Sequence, residues 1–485
     1  MIKLVIKFIL LALIIVGLYG LFRPLPEGTN VTGEVFRVPT SSVTFYSDVS
    51  YVDGQGNRQS EQEIFDKIFE MIEGAKHYIL LDFFLYNDFL GTATTSYRKL
   101  SQELTDLLVN KKETHPEIKI VFITDSINEI YGGYESSQIK EIRKAGVDVI
   151  ITDLRKLRDS NPLYSAWWRT FFQWFGNNNR EGIVGNPFDS RGQKLSIRTY
   201  LSLLNFKANH RKVVMVDAQV GGETKLSVLV TSANPHDGSS AHTNTALKVD
   251  DFLWKDVLKS EREVANFSGV PFLEPDSDFL DSIVDIEGNV SVQLITEKKI
   301  QEKVVESIDG LSQGDTLDMA MFYLSDRKVI RALKKADKRG AVIRILLDPN
   351  KDAFGRKKNG VPNRSVAREL LKNSEGNTKI RWCNTLGEQC HSKLLLIKTE
   401  EGYTTIQGSA NLTRRNIGNY NLETNIILES DELVEGVRNA YTYFNTVWEN
   451  EPGHTYSLEY ASYKDESLLK VFLYHFMERV GTSSF

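Results

Sequence analysis

The chain has 485 residues, of which 41% are hydrophobic and 25% are charged, and its formal net charge is −5. This length is ample for two domains with large cores, and the composition is typical of a globular protein. The acidic balance excludes an overall basic field for nucleic acid, and the presence of only two cysteines excludes a cysteine-rich zinc or iron–sulfur site.

An apolar segment lies near the N-terminus. Residues 4–22 are apolar except for Lys7, and at about 1.5 Å per residue in a helix they nearly span a bilayer core. Basic residues precede the segment and Arg23 follows it, a small bias that favours the N-terminus inside the cytosol. A cleaved signal peptide is the alternative, but no Ala-x-Ala-like cleavage site is visible. We therefore expect a single N-terminal pass in the cell membrane, with the body outside the cytosol.

Helices and strands are predicted to alternate along the rest of the chain. The first half should contain the helices 61–74 and 136–146 and the strands 77–88, 118–125 and 147–153. The second half repeats this order, with the strands 316–326, 341–348 and 378–383 and the helices 329–340 and 365–373. The FYL sequence at 322–324 resembles FFL at 83–85. Such alternation predicts an α/β fold with mainly parallel or mixed sheets covered by helices, built from two duplicated halves.

These patterns divide the chain into four segments. We predict a membrane anchor (1–23), a linker with the first strands (24–60), a first half (61–270) and a second half (271–485). An insertion at 154–207 interrupts the first half, and it carries a run of aromatic residues: Tyr164, Trp167, Trp168, Phe171, Phe172, Trp174 and Phe175. Aromatic side chains of this kind suit a membrane–water interface, and a helix packed on the core is the alternative.

The pattern His-x-Lys occurs twice, and each copy is followed by Ser-Ala-Asn. The two copies comprise His210, Lys212, Ser232 and Asn234, and then His391, Lys393, Ser409 and Asn411. Twelve positions separate Ser232 from Asn244, and twelve also separate Ser409 from Asn421. A chance surface or core histidine would not explain two copies at the same place in a repeat. The pattern therefore predicts a duplicated half-site at the interface of the two halves.

These residue types suit the cleavage of a phosphodiester. The two lysines and two asparagines can hold the non-bridging oxygens, and the two serines can bind the same oxygens or hold their loop. One neutral histidine can attack phosphorus and become phosphohistidine, while the other, protonated, gives its proton to the departing alcohol. The histidines lack accompanying carboxylates at metal-ligand spacing, so we expect no metal and no cofactor.

The two cysteines, Cys383 and Cys390, flank a short polar loop that contains Gly387. In an oxidising location they can form a disulfide, which would hold the residue just before His391. Two unpaired thiols are the alternative, because spacing alone does not establish the geometry of a bridge.

At these motifs the chain resembles the phospholipase D superfamily, whose signature is His-x-Lys-x4-Asp followed by Gly-Ser-x-Asn. His210, Lys212 and Asp217 match the first part, and Thr231 stands where the second part has glycine. The second copy matches with Gly408 in place. The sequence around His210 looks most like bacterial cardiolipin synthases and phosphatidyltransferases. The resemblance implies two phospholipase D-like α/β domains with mixed sheets flanked by helices, an active site at their interface, and a supporting role for Asp217.

Two departures from the family pattern bear on the mechanism. Lys398 stands where the second motif would have its aspartate. Glu423 follows Asn421, whereas we place Ala246 at the equivalent position of the first half. Similar enzymes use an acidic residue here to orient a catalytic histidine. We therefore expect Glu423 to reach across the interface to His210, which makes His210 the nucleophile and His391 the acid.

Three functions remain open from the sequence. The leading one is a membrane-anchored phospholipase D-like phosphodiesterase or phosphatidyltransferase. It would act on membrane phospholipids by hydrolysis or by transfer to an alcohol acceptor, without an obligatory protein partner. A nuclease of the same superfamily is the runner-up; the net charge and the anchor disfavour nucleic acid, although Arg414 and Arg415 are basic. An inactive binding or scaffold protein is the third, supported only by Lys398.

Overall fold

The computed structural model describes residues 1–93, 97–175 and 182–483. The α-helices within these residues are α1 (Ile2–Phe22), α2 (Ile64–Gly74), α3 (Leu100–Thr114), α4 (Ser137–Ala145), α5 (Pro162–Phe171), α6 (Ile197–Leu203), α7 (Trp254–Ser268), α8 (Ser277–Asp281), α9 (Lys298–Asp309), α10 (Arg327–Lys338), α11 (Asn363–Lys372), α12 (Arg414–Ile417), α13 (Glu435–Glu449) and α14 (Leu468–Val480).

The strands of the same residues form two large sheets and one small hairpin. They are β1 (Phe36–Val38), β2 (Val43–Val52), β3 (Arg58–Glu61), β4 (Tyr78–Phe83), β5 (Lys119–Thr124), β6 (Asp148–Ile151), β7 (Lys212–Val220), β8 (Glu223–Thr231), β9 (Asn244–Val249), β10 (Val290–Thr296), β11 (Thr316–Met321), β12 (Val342–Leu347), β13 (Asp352–Ala353), β14 (Arg356–Lys357), β15 (Thr378–Cys383), β16 (Lys393–Thr399), β17 (Gly402–Gly408), β18 (Thr424–Ser430) and β19 (Ser457–Glu459).

Both large sheets are mixed and share one topology. The first has the order β3-β2-β9-β8-β7-β4-β5-β6, and the second has the order β1-β10-β18-β17-β16-β11-β12-β15-β19. Parallel pairing is confined to β4-β5-β6 and β11-β12-β15, as expected where helices connect consecutive strands. The predicted α/β fold with mixed sheets flanked by helices is therefore confirmed.

The segment 24–60 is more than a linker. Its strand β1 pairs with β10 of the second sheet, whereas β2 pairs with β9 of the first. These two pairings tie the N-terminal segment to both halves, because each adds a row of backbone hydrogen bonds to a different sheet.

The core between the sheets joins the two halves. Apolar side chains of both sheets, among them Met215 and Val228 of the first and Leu394 and Leu428 of the second, form one buried cluster. Two further clusters lie between each sheet and its own helices. The halves therefore pack sheet against sheet, with helices outside, which holds the loops at the sheet ends in fixed relation.

Burial explains why the continuous apolar sequence after His77 forms a central strand. All six residues of β4 are buried, and the strand lies between β7 and β5. Strands covered on both faces are largely apolar, as parallel strands under helices are. The strand ends at Phe83, earlier than the predicted 77–88, because the chain turns there into the loop that borders the site described below.

Helix α1 is long and apolar enough to cross a membrane. It has 21 residues, a mean hydropathy of 2.7 in its most apolar window, and only 6% of that window is buried. Its end packs on the aromatic insertion, where Gly17 lies against Ala166 of α5 and Asp159 donates its backbone N–H to the Gly20 carbonyl. Helix α1 is thus continuous with the folded body.

The insertion divides its aromatic residues between the interior and the surface. Trp168 is buried, with Phe172 stacked on it and the Arg198 guanidinium 5.1 Å from its ring. Four others are exposed: Trp167, Phe171, Trp174 and Phe175. Residues 176–181 of the insertion lie outside the described residues. The insertion therefore both packs on the body and presents aromatic surface.

Helix α14 also presents apolar surface. Tyr474 and Glu478 on one face are buried, whereas the opposite face exposes Leu468, Leu469, Phe472, Leu473 and Phe476. The helix ends at Val480, and the next residue, Gly481, lies against the Ser160 carbonyl in the insertion. Apolar surface from α1, α5 and α14 thus converges on the region of Asp159 and Ser160.

Candidate active site

The two His-x-Lys segments meet at the boundary between the halves through matching backbone hydrogen bonds. The His210 N–H donates to the Leu422 carbonyl at 2.9 Å, and the His391 N–H donates to the Thr243 carbonyl at 2.7 Å. Each histidine is therefore attached to the other half, and the two contacts are related by an approximate two-fold axis.

His210 is oriented by an acidic residue of the second half. Its Nδ1 lies 3.0 Å from Glu423 Oε2 and 2.9 Å from Glu423 Oε1. Glu423 is itself held, since Ser409 Oγ donates to its Oε2 at 2.5 Å and the Asn416 side-chain amide donates to its Oε1. The expected contact from Glu423 to His210 is present. A carboxylate at Nδ1 selects the tautomer that leaves Nε2 unprotonated and able to attack.

His391 is oriented by an amide of the first half. Its Nδ1 lies 3.1 Å from Asn244 Oδ1, which also accepts a hydrogen bond from Ser232 Oγ at 3.0 Å. The Asn244 amide nitrogen donates to the Asp48 carboxylate and to the His242 carbonyl, so its oxygen must face His391. His391 therefore has an uncharged partner where His210 has a carboxylate.

This geometry corrects the expected equivalence of Glu423 with Ala246. The Ser232 N–H donates to the Thr245 carbonyl, and the Ser409 N–H donates to the Thr424 carbonyl, so the two threonines are equivalent. The residues just before these threonines, Asn244 and Glu423, are therefore the equivalent pair. The sheet register agrees, because Thr231 pairs with Ala246 and Gly408 pairs with Asn425. The loop of the second half is two residues longer, which makes the matching twelve-residue offsets misleading. His391 thus has a partner, contrary to expectation.

The two serines sit behind the site. Both are fully buried, and their hydroxyls donate to Asn244 and Glu423. They position the partners of the histidines, rather than face the space between the halves. Their predicted binding of substrate remains a prediction.

The lysines of the two motifs are also related by the two-fold axis. Lys212 Nζ donates to the His210 carbonyl at 2.7 Å, and Lys393 Nζ donates to the His391 carbonyl at 2.6 Å. Both are fully buried. An ammonium has three N–H groups, so each lysine keeps donors for a substrate.

A central cavity of about 580 Å³ connects the two half-sites. Its walls include four of the predicted site residues: His210, His391, Asn234 and Asn411. Asn234 Oδ1 accepts from the Leu85 N–H, which leaves its amide nitrogen for a ligand. Two motifs far apart in the chain therefore line one cavity.

Two phenylalanines that we did not assign to the site contact the histidines. The Phe84 ring lies 4.8 Å from the His210 ring, and the Phe322 ring lies 4.9 Å from the His391 ring. Phe83 pairs with Lys212 and Met321 pairs with Lys393, so Phe322 is equivalent to Phe84 and not to Phe83. The similarity between residues 322–324 and 83–85 indicated this pair, but it aligned Phe322 with Phe83 instead of Phe84.

Asp217 acts at a distance from the cavity. Its carboxylate accepts the backbone N–H groups of Lys76, His77 and Tyr78, at the beginning of β4. Lys398 of the second motif pairs with Thr316 at the same end of the other sheet. The motif aspartate therefore supports a strand, and its replacement by lysine leaves the described contacts of His391 and Lys393 unaffected.

Other carboxylates hold the residue before each histidine. Asp125 Oδ2 accepts from the Asn209 N–H, and Asp348 Oδ2 accepts from the Cys390 N–H. Burial raises the pKa of Asp125 to about 7 and that of Asp348 to about 6. Each is the last residue of a strand predicted at 118–125 or 341–348 and directly follows the observed β5 or β12, so the sequence indicated both positions. Cys390 is also joined by a disulfide to Cys383, with Cα atoms 6.1 Å apart.

Burial sets the protonation of the site. It lowers the pKa of His210 to about 4 and that of Lys212 to about 7, with Glu423 opposing both shifts. Burial and neighbouring cations also lower the pKa of His391 and of Lys393. A phosphate anion supplies counter-charge to these groups, so its binding raises all four pKa values. The site is therefore suited to an anion, and its histidines are neutral before one binds.

Comparisons with known proteins agree with this geometry. Residues 307–448, in the second half, match a family model described as a cardiolipin synthase, phospholipase D-like domain. A search of curated protein sequences gave no match. Among solved structures, the fold resembles that of the phosphatidylserine synthase of Haemophilus influenzae Rd KW20, with a TM-score of 0.54 and 11% identity over 94% of this chain and 96% of that one.

Smaller solved proteins overlap with parts of the chain. Nuc, a phospholipase D family member from Salmonella typhimurium, gives a TM-score of 0.26 at 17% identity and covers 35% of this chain and 99% of its own. NucT from Helicobacter pylori gives a TM-score of 0.27 at 15% identity and covers 34% of this chain and 99% of its own.

The family match and the fold bear on different parts of the chain. Residues 307–448 match a phospholipase D-like domain, and the fold of nearly the whole chain resembles that of the phosphatidylserine synthase. The predicted resemblance to the phospholipase D superfamily is thereby confirmed.

Proposed function

We propose that the protein is a membrane-anchored phosphodiesterase or phosphatidyltransferase that acts on phospholipids through a phosphohistidine. The observation that carries this proposal is the cavity lined by both His210 and His391, in which each Nδ1 is held by the opposite half. The two free Nε2 atoms can then reach one phosphorus, as a two-step transfer requires.

The difference between Glu423 and Asn244 supports different roles for the two histidines. A carboxylate stabilises positive charge on the imidazole that bonds to phosphorus, so His210 is the nucleophile. His391 Nε2 is protonated once the phosphate has bound. It transfers this proton to the oxygen of the departing alcohol as the P–O bond breaks.

The second step reverses the first. Water or an alcohol acceptor loses a proton to His391, its oxygen bonds to phosphorus, and the P–N bond to His210 breaks. Lys212, Lys393, Asn234 and Asn411 supply the N–H groups that stabilise the non-bridging oxygens in both steps.

A lipid substrate is supported by the apolar part of the cavity and by the adjoining helices. Phe89, Phe188, Phe206 and Phe354 also line the cavity. The apolar helix α1 packs on the insertion, which exposes aromatic residues. This arrangement suits a protein that takes its substrate from a membrane surface.

The experiment compares substrate classes with the purified full-length protein. Wild type should release or transfer the head group of phosphatidylglycerol in vesicles and should leave single-stranded DNA intact. Mass spectra of the lipid products, with and without added glycerol, separate hydrolysis from transfer. Cleavage of DNA without any change in the lipid would establish the nuclease instead, and inactivity on both would favour the scaffold.

A further inference from the structure

Arg415 lines the same cavity as the two histidines, yet it has no role in the reaction described above. Its Nε and one terminal nitrogen, Nη2, are buried, and neither has a hydrogen-bond partner among the described residues. Burial lowers its pKa to about 10. Buried guanidinium donors without partners are costly, which indicates that a ligand completes them.

The position of Arg415 is fixed by its neighbours. Its guanidinium lies 5.0 Å from the Phe206 ring, and its carbonyl accepts the Asn421 N–H. The next residue, Asn416, donates its side-chain amide to Glu423, the partner of His210. Arg415 therefore borders the His210 side of the cavity.

The charge of the cavity exceeds what one phosphodiester needs. Its described lining contains five basic side chains and no Asp or Glu: Lys207, Arg356, Lys357, Lys358 and Arg415. Lys207 is bonded to Asp159, and Lys358 to the Tyr323 hydroxyl. A phosphodiester carries one negative charge, which its proposed contacts with the two motif lysines would balance. The remaining cations favour a substrate with a further anionic group.

We infer that Arg415 binds a second anionic group of the substrate, a phosphate or a carboxylate, beside the phosphodiester that reacts at His210. The Nε and Nη2 atoms form one edge of the guanidinium, and this edge binds two oxygens of a phosphate or carboxylate in parallel. The inference rests on the proposed function, because it takes the reacting phosphate to lie between the histidines.

Calorimetric titration with inorganic phosphate and pyrophosphate tests the inference without turnover. Wild type should bind pyrophosphate more tightly than phosphate. Arg415→Gln should weaken the binding of pyrophosphate roughly ten- to a hundredfold and should change the affinity for phosphate by less than about threefold. Arg415→Lys, which keeps the charge but loses the paired donors, should also weaken pyrophosphate.

Arg414→Gln is the matched control. Arg414 belongs to the same helix and carries the same charge, but its guanidinium donates to the Glu478 carbonyl and the Tyr420 hydroxyl. This variant should leave both affinities unchanged. If Arg415→Gln weakened the binding of both anions equally, or did not weaken the binding of pyrophosphate, the inference would be overturned.

Lipid assays identify the second group. Arg415→Gln should raise KM at least about tenfold for lipids with two anionic groups, and much less for phosphatidylglycerol, which has one. A rise in KM confined to cardiolipin would identify the second anionic group as a phosphate. A rise confined to phosphatidylserine would identify it as a carboxylate. An equal change for every lipid would overturn the inference. If wild type turns over no lipid while the pyrophosphate result holds, the proposed function fails and the anion site stands.

Discussion

Glu423 of the second half bonds Nδ1 of His210 in the first half, whereas the equivalent Asn244 bonds Nδ1 of His391. A carboxylate on one side and an amide on the other make a two-fold site chemically asymmetric. This difference sets the expected roles of the two histidines.

Each catalytic histidine should be indispensable. His210→Ala and His391→Ala should each lower kcat by at least about 10³-fold, and the double variant should be little worse, because the two residues act as one unit. Lipid turnover and thermal unfolding measure the effect. His115→Ala, at a half-exposed histidine, is the control. Full activity in either single variant would refute the shared site.

Replacing Glu423 by Gln should slow the reaction while keeping the hydrogen bond. Loss of the charge should lower kcat by roughly 10²- to 10⁴-fold, as removal of a histidine-orienting carboxylate does elsewhere. Peptide mapping of a trapped phosphoenzyme should locate the label on His210. Label on His391 would reverse the two roles but would leave the rest of the mechanism intact.

Exchanging the two partners gives a sharper version of this test. The double variant Glu423→Asn with Asn244→Glu places the carboxylate at His391, so the phosphoenzyme label should move to that residue. Label that stays on His210 would show that something other than these partners sets the roles. Circular dichroism controls for folding.

Deletion of residues 1–23 should release the body from the membrane fraction, since α1 is the described helix with the length and hydropathy of a span. In intact cells, external protease should digest the body of the full-length protein. Protection of the body would reverse the proposed topology. Retention of the truncated body on vesicles would show that the exposed residues of α5 and α14 bind lipid by themselves.

Breaking the disulfide should destabilise the protein. Cys383→Ser with Cys390→Ser removes the closure of a short loop, which should lower the free energy of unfolding by about 2–3 kcal/mol. Urea denaturation measures this change. Activity should fall as well, because Cys390 precedes His391 and its N–H bonds Asp348. Unchanged stability in oxidising buffer would contradict the bridge.

Activity should not depend on a divalent ion. Histidine nucleophilicity, lysine charge and amide donors are all that the proposed steps use, so EDTA should leave lipid turnover unchanged. Inhibition by EDTA that zinc or magnesium reverses would require a different mechanism.

The sequence alone determined the alternation of helices and strands, the doubled motifs and the membrane-length segment, because each depends on local residue order. Apolar runs and helical spacing predicted β4, β5, β11 and β12 within a few residues, and two copies of His-x-Lys with Ser-Ala-Asn identified the half-sites. Only the tertiary structure decided which residues face each other. Sheet register, and not the twelve-residue offset, makes Asn244 the equivalent of Glu423, since the connecting loops differ in length. Burial likewise singled out Arg415, because unpartnered donors are a property of packing and leave no trace in residue order.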